Sequence, residues 1–291
     1  MKIGVIGTGM LGNATGIRLL QSGNQLTVFN RTREKTKELE KNGAHVVSSP
    51  KEVGENSEIV IIVVKDANAV NQVSFEKNGI VYGNHKDLIV CDMSTINPIN
   101  SKNNAKKFLD YNISMLDTPV MGGPNVAITG ELVMMASGNR NTFDKCQKLL
   151  DTIANKVFYL GESGTAHSVK LVMNLQITML ALAISEGITL ARGMNVNPET
   201  FLEILNSTYF KTGMSENKAK KMIQDNFEAT FTLENLKKDI NTISEVSKSL
   251  GLELPMMERA EEVYENAAKA GFGTLDYTGI LAYIKKINKM N

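Results

Sequence analysis

Three glycines near the start of the chain have the spacing of a phosphate-binding turn. In the run Gly7-Thr8-Gly9-Met10-Leu11-Gly12, the first glycine permits a tight turn and the second lets bare backbone approach a pyrophosphate. The third allows a helix to pack closely against a strand. A helix opening there would present the N–H groups of Met10, Leu11 and Gly12, and the positive end of its dipole, to the phosphates. Far along the chain, Lys170 and Asn174 stand four residues apart and so share one face of a helix. Val169, Leu171, Val172 and Met173 surround that lysine with apolar side chains. An ammonium with an ordinary pKa of about 10.4 exchanges protons near neutrality when burial or a neighbouring cation disfavours its charged form. Taken alone, Lys170 is more commonly a solvated charge, and Gly122-Gly123-Pro124 equally a plain turn. Ser94 and Thr95 could hold a ligand by their hydroxyls or form a turn before Pro98.

The second strand-like run ends in Val28-Phe29-Asn30-Arg31-Thr32-Arg33, where NAD enzymes usually carry an acidic residue for the ribose hydroxyls. No carboxylate stands here. Asn30 and Thr32 can donate hydrogen bonds and Arg31 or Arg33 can pair with a 2′-phosphate, so NADPH is expected over NADH.

Apolar runs rich in Val and Ile at Ile3–Ile6, Leu26–Phe29, Ile59–Val64 and Leu88–Cys91 alternate with helix-like or polar stretches. That alternation predicts βαβ units, and continuous runs such as Ile59–Val64 predict a parallel, doubly wound sheet covered on both faces. Ile113–Leu116, Leu132–Ala136 and Val157–Tyr159 extend the sheet, with a helix over Asn141–Ile153. Beyond Leu160–Thr165 the pattern turns helical, over Thr165–Met194, Pro198–Asn206, Leu233–Ser249 and Pro255–Ala270. The fold expected is α/β, with a Rossmann-type domain over 1–162 and an all-α domain over 163–291.

With 291 residues, 32 Lys plus Arg and 31 Asp plus Glu, length suits two domains, and the balanced charge gives no general field for nucleic acid or an anionic membrane. Cys91 and Cys146, with His45, His85 and His167, form no disulfide framework and no metal-ligand spacing. The chain runs from Met1 straight into Lys2-Ile3-Gly4-Val5-Ile6, from which no leader and a cytoplasmic location are expected. Leu171–Ala191 approaches membrane-spanning length, but Asn174, Gln176, Thr178, Ser185 and Glu186 within it favour a helix buried inside a protein.

Asp117-Thr118-Pro119-Val120-Met121-Gly122-Gly123, Ser94-Thr95 and the set Gly164, Lys170, Asn174, read with the glycine turn, resemble the β-hydroxyacid dehydrogenase family over essentially the whole chain. The family's Asp-x-Pro-Val-Ser-Gly-Gly signature carries Met121 in place of its serine, so that hydroxyl is lost from the loop that grips the substrate carboxylate. The resemblance implies that Lys170 exchanges the proton and Asn174 orients the substrate. It also places Thr95 beside nicotinamide and substrate, brings Lys238 over the cofactor, and sets Phe231 and Asp239 near the substrate. The cofactor set is thus Gly7, Gly9, Met10, Leu11, Gly12, Asn30, Arg31, Thr32, Val64, Thr95 and Lys238. The substrate set is Ser94, Thr95, Met121, Gly122, Gly123, Lys170, Asn174, Phe231 and Asp239.

The activity implied is NADPH-dependent interconversion of a small hydroxy acid and its semialdehyde or keto form. The implied partners are that small molecule and, through apolar helical surface, further copies in a homodimer or homotetramer. An imine reductase shares the glycine turn and the length but generally lacks lysine at the catalytic helix position. A 6-phosphogluconate dehydrogenase has a much larger C-terminal domain. The reading from another class is a catalytically silent NADPH-binding protein.

Overall fold

Strand β1 (Lys2–Ile6) lies in parallel register between β2 (Gln25–Phe29) and β4 (Ile59–Ile62). Every residue of β4 is buried, as a strand covered on both faces requires. In this computed structural model, which describes residues 1–290, the sheet continues through β3 (His45–Val46) on one side. On the other side follow β5 (Ile89–Asp92), β6 (Ser114–Asp117), β8 (Leu132–Gly138) and β7 (Val120–Met121), giving the order β3-β2-β1-β4-β5-β6-β8-β7. Strand β9 (Ala154–Tyr159) pairs in parallel with β8. The first six strands are parallel and wound in both directions from β1, which is the expected Rossmann architecture. Strand β8 runs antiparallel to β6 and β7. Strands β3 and β7 have two residues each, too few to leave an alternating pattern in the sequence. Val63 and Val64, expected within the fourth strand, lie just beyond its end.

Helix Met10–Gln21 packs on the sheet through Ala14, Ile17 and Leu19. Gly16 stands where a Cβ would come within 2.7 Å of Leu39. Helix Arg140–Ile153 turns Phe143, Cys146, Leu149, Leu150 and Ile153 inward, the spacing of one apolar face. Cys91 and Cys146 are buried free thiols.

The contacts divide the chain into two units, Met1–Lys170 and the remainder from Leu171. The division falls inside the helix Thr165–Gly193, later than the expected boundary at 162/163. The first turn of that helix is hydrogen-bonded to the sheet unit, since Ala166 N–H donates to Ser137 Oγ at 3.0 Å.

The second unit is helical. After the long helix come Pro198–Asn206, Leu233–Ser249, Pro255–Ala267 and Ile280–Ile287. Asn197 and Thr232 cap two of them by accepting from Glu199 N and Asn235 N. Leu236, Ile240 and Ile243 pack with Met257, Ala260 and Tyr264 in one apolar cluster. The helix expected to reach Ala270 ends its α turns at Ala267. A wider π-type turn follows, and Gly271 takes a φ of +95°. The polar residues of the long helix bury by bonding to their own backbone: Thr178 Oγ1 donates to Asn174 O, Ser185 Oγ to Ala181 O and Thr189 Oγ1 to Ser185 O. The helix is less enclosed than expected. It is long and apolar enough to cross a membrane by length and composition, and 39% of its most apolar window is buried. Its other face leaves Val172 and Leu190 about 60% exposed.

Candidate active site

Between β1 and β4 the winding of the sheet changes direction, the position at which an open α/β sheet leaves a crevice for ligands. Gly7 follows β1 with a φ of +93°, and a Cβ there would stand 2.1 Å from Val63 O. Gly12 is equally constrained, since its Cβ would meet Gly7 O at 1.9 Å. Gly9 is different. A Cβ on it would meet nothing within 4 Å, so it borders open space. Gly9 is also the N-cap of helix Met10–Gln21, and no side chain caps that end. The N–H groups that begin the helix, those of Met10, Leu11 and Gly12, are thereby left for an anion. This donor set fits a dinucleotide pyrophosphate.

Asn30 does other work from that expected of it. Its Oδ1 accepts from Thr8 N–H at 3.0 Å and its Nδ2 donates to Thr32 O at 2.9 Å, so it ties the glycine turn to the end of β2. Thr8 adds a bond from its Oγ1 to Lys35 O. Arg33 pairs with Glu40 at 3.5 Å. Arg31, exposed beside Thr32, has no carboxylate within ion-pair distance among the described residues, which leaves its guanidinium for a ligand.

Past β4, half-buried Val64 donates its N–H to Ser94 Oγ at 3.1 Å, and Ser94 N–H in turn donates to Asp92 Oδ1 at 2.9 Å. Ser94 is buried and braces one loop against the next, a different placement from a hydroxyl facing substrate. Thr95, its neighbour, is half-buried. Thr118 N–H donates to Asp92 O at 2.8 Å, joining the ends of β5 and β6.

Lys170 reaches the loop that follows β6. Its Nζ donates to Val120 O at 2.8 Å and lies 3.3 Å from Met121 Sδ. The residue that replaces the family serine is therefore in contact with the candidate proton carrier. Gly122 has a φ of +118°, and Gly123 caps a short helix with no side-chain bond, so backbone N–H groups follow Met121 directly. Gly164, with a φ of +91°, turns the chain into the helix that carries Lys170. Its N–H donates to Asp117 Oδ2. Asp117 also accepts from Ser101 Oγ, and from Ser137 Oγ at 2.7 Å. It anchors the site from within the core.

In the helical unit, three expected residues come together. Asn174, fully buried, donates from Nδ2 to Asp239 Oδ2 at 2.7 Å, and Lys238 Nζ stands 2.5 Å from Asp239 Oδ1. The amide that was expected to orient a substrate is in this state bonded to Asp239, leaving its Oδ1 without a hydrogen-bond partner. Lys237 points elsewhere, to Glu234 and Glu265. Phe231 lies just before helix Leu233–Ser249, its carbonyl accepting from Tyr277 N–H and its ring centroid 6.0 Å from that of Tyr277.

The buried cluster of Asp92, Asp117 and His167 escaped the reading of the sequence. His167 lies 3.9 Å from Asp92 and 3.7 Å from Asp117 through Nε2. The only signal for it was its place one helical turn before Lys170. Burial holds the Asp92 carboxyl above the usual carboxylate range.

Residues 2–161 match the family profile described as the NAD binding domain of 6-phosphogluconate dehydrogenase. Residues 164–284 match that for the NAD-binding region of NADP-dependent 3-hydroxyisobutyrate dehydrogenase. The chain belongs to the β-hydroxyacid dehydrogenase family. An uncharacterized oxidoreductase of Bacillus subtilis (strain 168) is 31% identical over 98% of this β-hydroxyacid dehydrogenase and 100% of its own length. Glyoxylate/succinic semialdehyde reductase 1 of Arabidopsis thaliana is 28% identical over 98% and 99%. In fold, 3-hydroxyisobutyrate dehydrogenase from Salmonella typhimurium superposes with a TM-score of 0.88, at 24% identity, over 97% of this chain and 99% of its own. This member is accordingly an oxidoreductase that uses a nicotinamide dinucleotide on a hydroxy acid or semialdehyde.

Proposed function

We propose that the enzyme reduces a short carboxylate-bearing aldehyde or keto acid with NADPH, and runs the reverse oxidation, with Lys170 as the proton-transfer residue. The observation that carries this reading is the placement of Lys170 Nζ on the Val120–Met121 backbone and side chain, immediately before the Gly122-Gly123 N–H groups. When bound, NADPH supplies the hydride. The chain's part is to bind, orient and move a proton. Gly122 and Gly123 offer N–H groups to the substrate carboxylate, and Thr95 holds the reacting end. As the carbonyl oxygen gains charge, Lys170 Nζ donates its proton to it. In the oxidative direction neutral Lys170 accepts the alcohol proton. Asn174, one turn along the same helix, is assigned to orienting the substrate, which requires it to exchange or share its bond to Asp239.

Preference for NADPH rests on Arg31, exposed and without a carboxylate partner among the described residues, and on the missing acidic residue at the end of β2. Arg31, with Thr32 beside it, would take the 2′-phosphate. Met121 gives the substrate pocket a thioether where a serine hydroxyl would bond a further substrate hydroxyl, so carboxylate-bearing aldehydes without further hydroxyls fit best. Steady-state reduction of glyoxylate, succinic semialdehyde and tartronate semialdehyde with each dinucleotide tests both points. The singly charged aldehydes without further hydroxyls are expected to react fastest, and equal rates with NADPH and NADH would remove Arg31 from the account.

The exposed face of the long helix, with Val172 and Leu190 about 60% accessible, supports a further proposal, that the enzyme works as a homodimer or homotetramer joined through this face. Leu190→Glu is expected to lower the oligomeric state seen by sedimentation, because a carboxylate in an apolar interface is strongly disfavoured. An unchanged state would place the interface elsewhere.

A further inference from the structure

Asp92 and Asp117 are register partners at the ends of β5 and β6, and both are fully buried. Like charges held on adjacent strands away from water repel strongly and require a partner. Among the described residues, neither acid has a lysine or arginine within ion-pair distance. The group between them is His167. Its ring is also fully buried, and its Nε2 faces Asp117 Oδ1 at 3.7 Å and Asp92 Oδ2 at 3.9 Å. Both carboxyls lie beyond hydrogen-bond distance, and among the described residues neither ring nitrogen has a hydrogen-bond partner.

Each acid is fastened to a different part of the candidate site. Asp92 Oδ1 accepts the N–H of Ser94, which precedes Thr95. Asp117 accepts from Ser101, Ser137 and the N–H of Gly164, and it begins the loop that leads to Met121-Gly122-Gly123. His167 sits on the first turn of the helix, three residues before Lys170.

We infer that His167 is a positioning residue whose Nε2–H is directed between the Asp92 and Asp117 carboxylates, so that the Ser94-Thr95 loop, the Thr118–Gly123 loop and the helical turn bearing Lys170 keep one fixed spacing. The imidazole touches no reacting atom. It acts by electrostatic attraction to both carboxyls, reinforcing the direct bonds from Thr118 N–H to Asp92 O and from Gly164 N–H to Asp117, and misplacement of such elements by about 1 Å is enough to cost on the order of a hundredfold in rate. Burial, which holds the Asp92 carboxyl above the usual carboxylate range, agrees with a cluster kept away from water.

The test compares His167→Gln, which keeps an N–H donor, with His167→Leu, which keeps similar bulk and loses it. Both are assayed with NADPH and succinic semialdehyde. His167→Leu is expected to lose roughly ten- to a hundredfold in kcat, with its pH–rate profile displaced because Lys170 is no longer held in place, while NADPH binding is unchanged. His167→Gln is expected to retain most of the wild-type kcat and profile. Equal behaviour of the two variants, or better activity from His167→Leu, would show a space-filling role and overturn the inference. Nitrogen NMR of histidine-labelled wild-type enzyme decides independently of how the variants fold. The chain has three histidines, and the inference requires the buried one to carry hydrogen on Nε2 throughout the active pH range. A bare Nε2 with the proton on Nδ1 would defeat it. The inference rests on the proposed role of Lys170, but the two fail separately. Turnover retained in Lys170→Ala removes the lysine mechanism, whereas a dead Lys170→Ala alongside indistinguishable His167 variants removes only the clamp.

Discussion

Lys170→Ala is expected to lower kcat for carbonyl reduction by about 10²–10⁴-fold, the range lost with a positioned general acid, while NADPH binding stays near wild type. The division follows from where the side chain is anchored. Its Nζ bonds to Val120 O and meets Met121 Sδ, on the loop after β6, whereas the glycine turn and Arg31 belong to the ends of β1 and β2. Removing the amine takes away the proton donor and leaves the dinucleotide contacts in place. Pre-steady-state mixing with NADPH, followed by titration of the cofactor alone, separates the two effects. A variant that binds NADPH weakly but turns over normally once saturated would make Lys170 a cofactor contact instead.

Arg31→Ala is expected to weaken NADPH by roughly 10- to 150-fold, equivalent to the loss of one hydrogen bond to a charged group at about 1.5–3 kcal/mol, with little change for NADH. Arg33 is not expected to substitute for it, because Arg33 already pairs with Glu40. Dissociation constants for both dinucleotides give the answer directly. A parallel loss for NADPH and NADH would mean that Arg31 serves the shared part of the cofactor or the stability of the β2 end.

The wound sheet was legible because its core strands carry unbroken Val and Ile runs, and because Gly7, Gly9 and Gly12 leave few other arrangements for the first turn. The starts of helices Pro198–Asn206 and Pro255–Ala267 were equally plain, since a proline at the first helical position marks each. Strands β3 and β7 were not, for two residues carry no period. The site divides in the same way. Residue type and spacing pointed to the glycine turn and to the Lys170–Asn174 face. Spacing along the chain could not show that Asn30 is occupied by Thr8 and Thr32, that Ser94 braces Val64, or that Asn174 donates to Asp239, because those bonds join elements 22, 30 and 65 residues apart. His167 was the hardest to see. It is a lone histidine in sequence and becomes informative only when β5 and β6 bring two acids against it.

The most direct measurement is the rate at which the purified enzyme oxidises NADPH when a short carboxylate-bearing carbonyl is added, with the product quantified alongside. Turnover is expected with at least one of glyoxylate, succinic semialdehyde or tartronate semialdehyde, with one hydroxy acid formed for each NADPH consumed and slower turnover with NADH. NADPH bound but never oxidised by any of these carbonyls would contradict this expectation and identify the chain as a silent dinucleotide-binding member of its family.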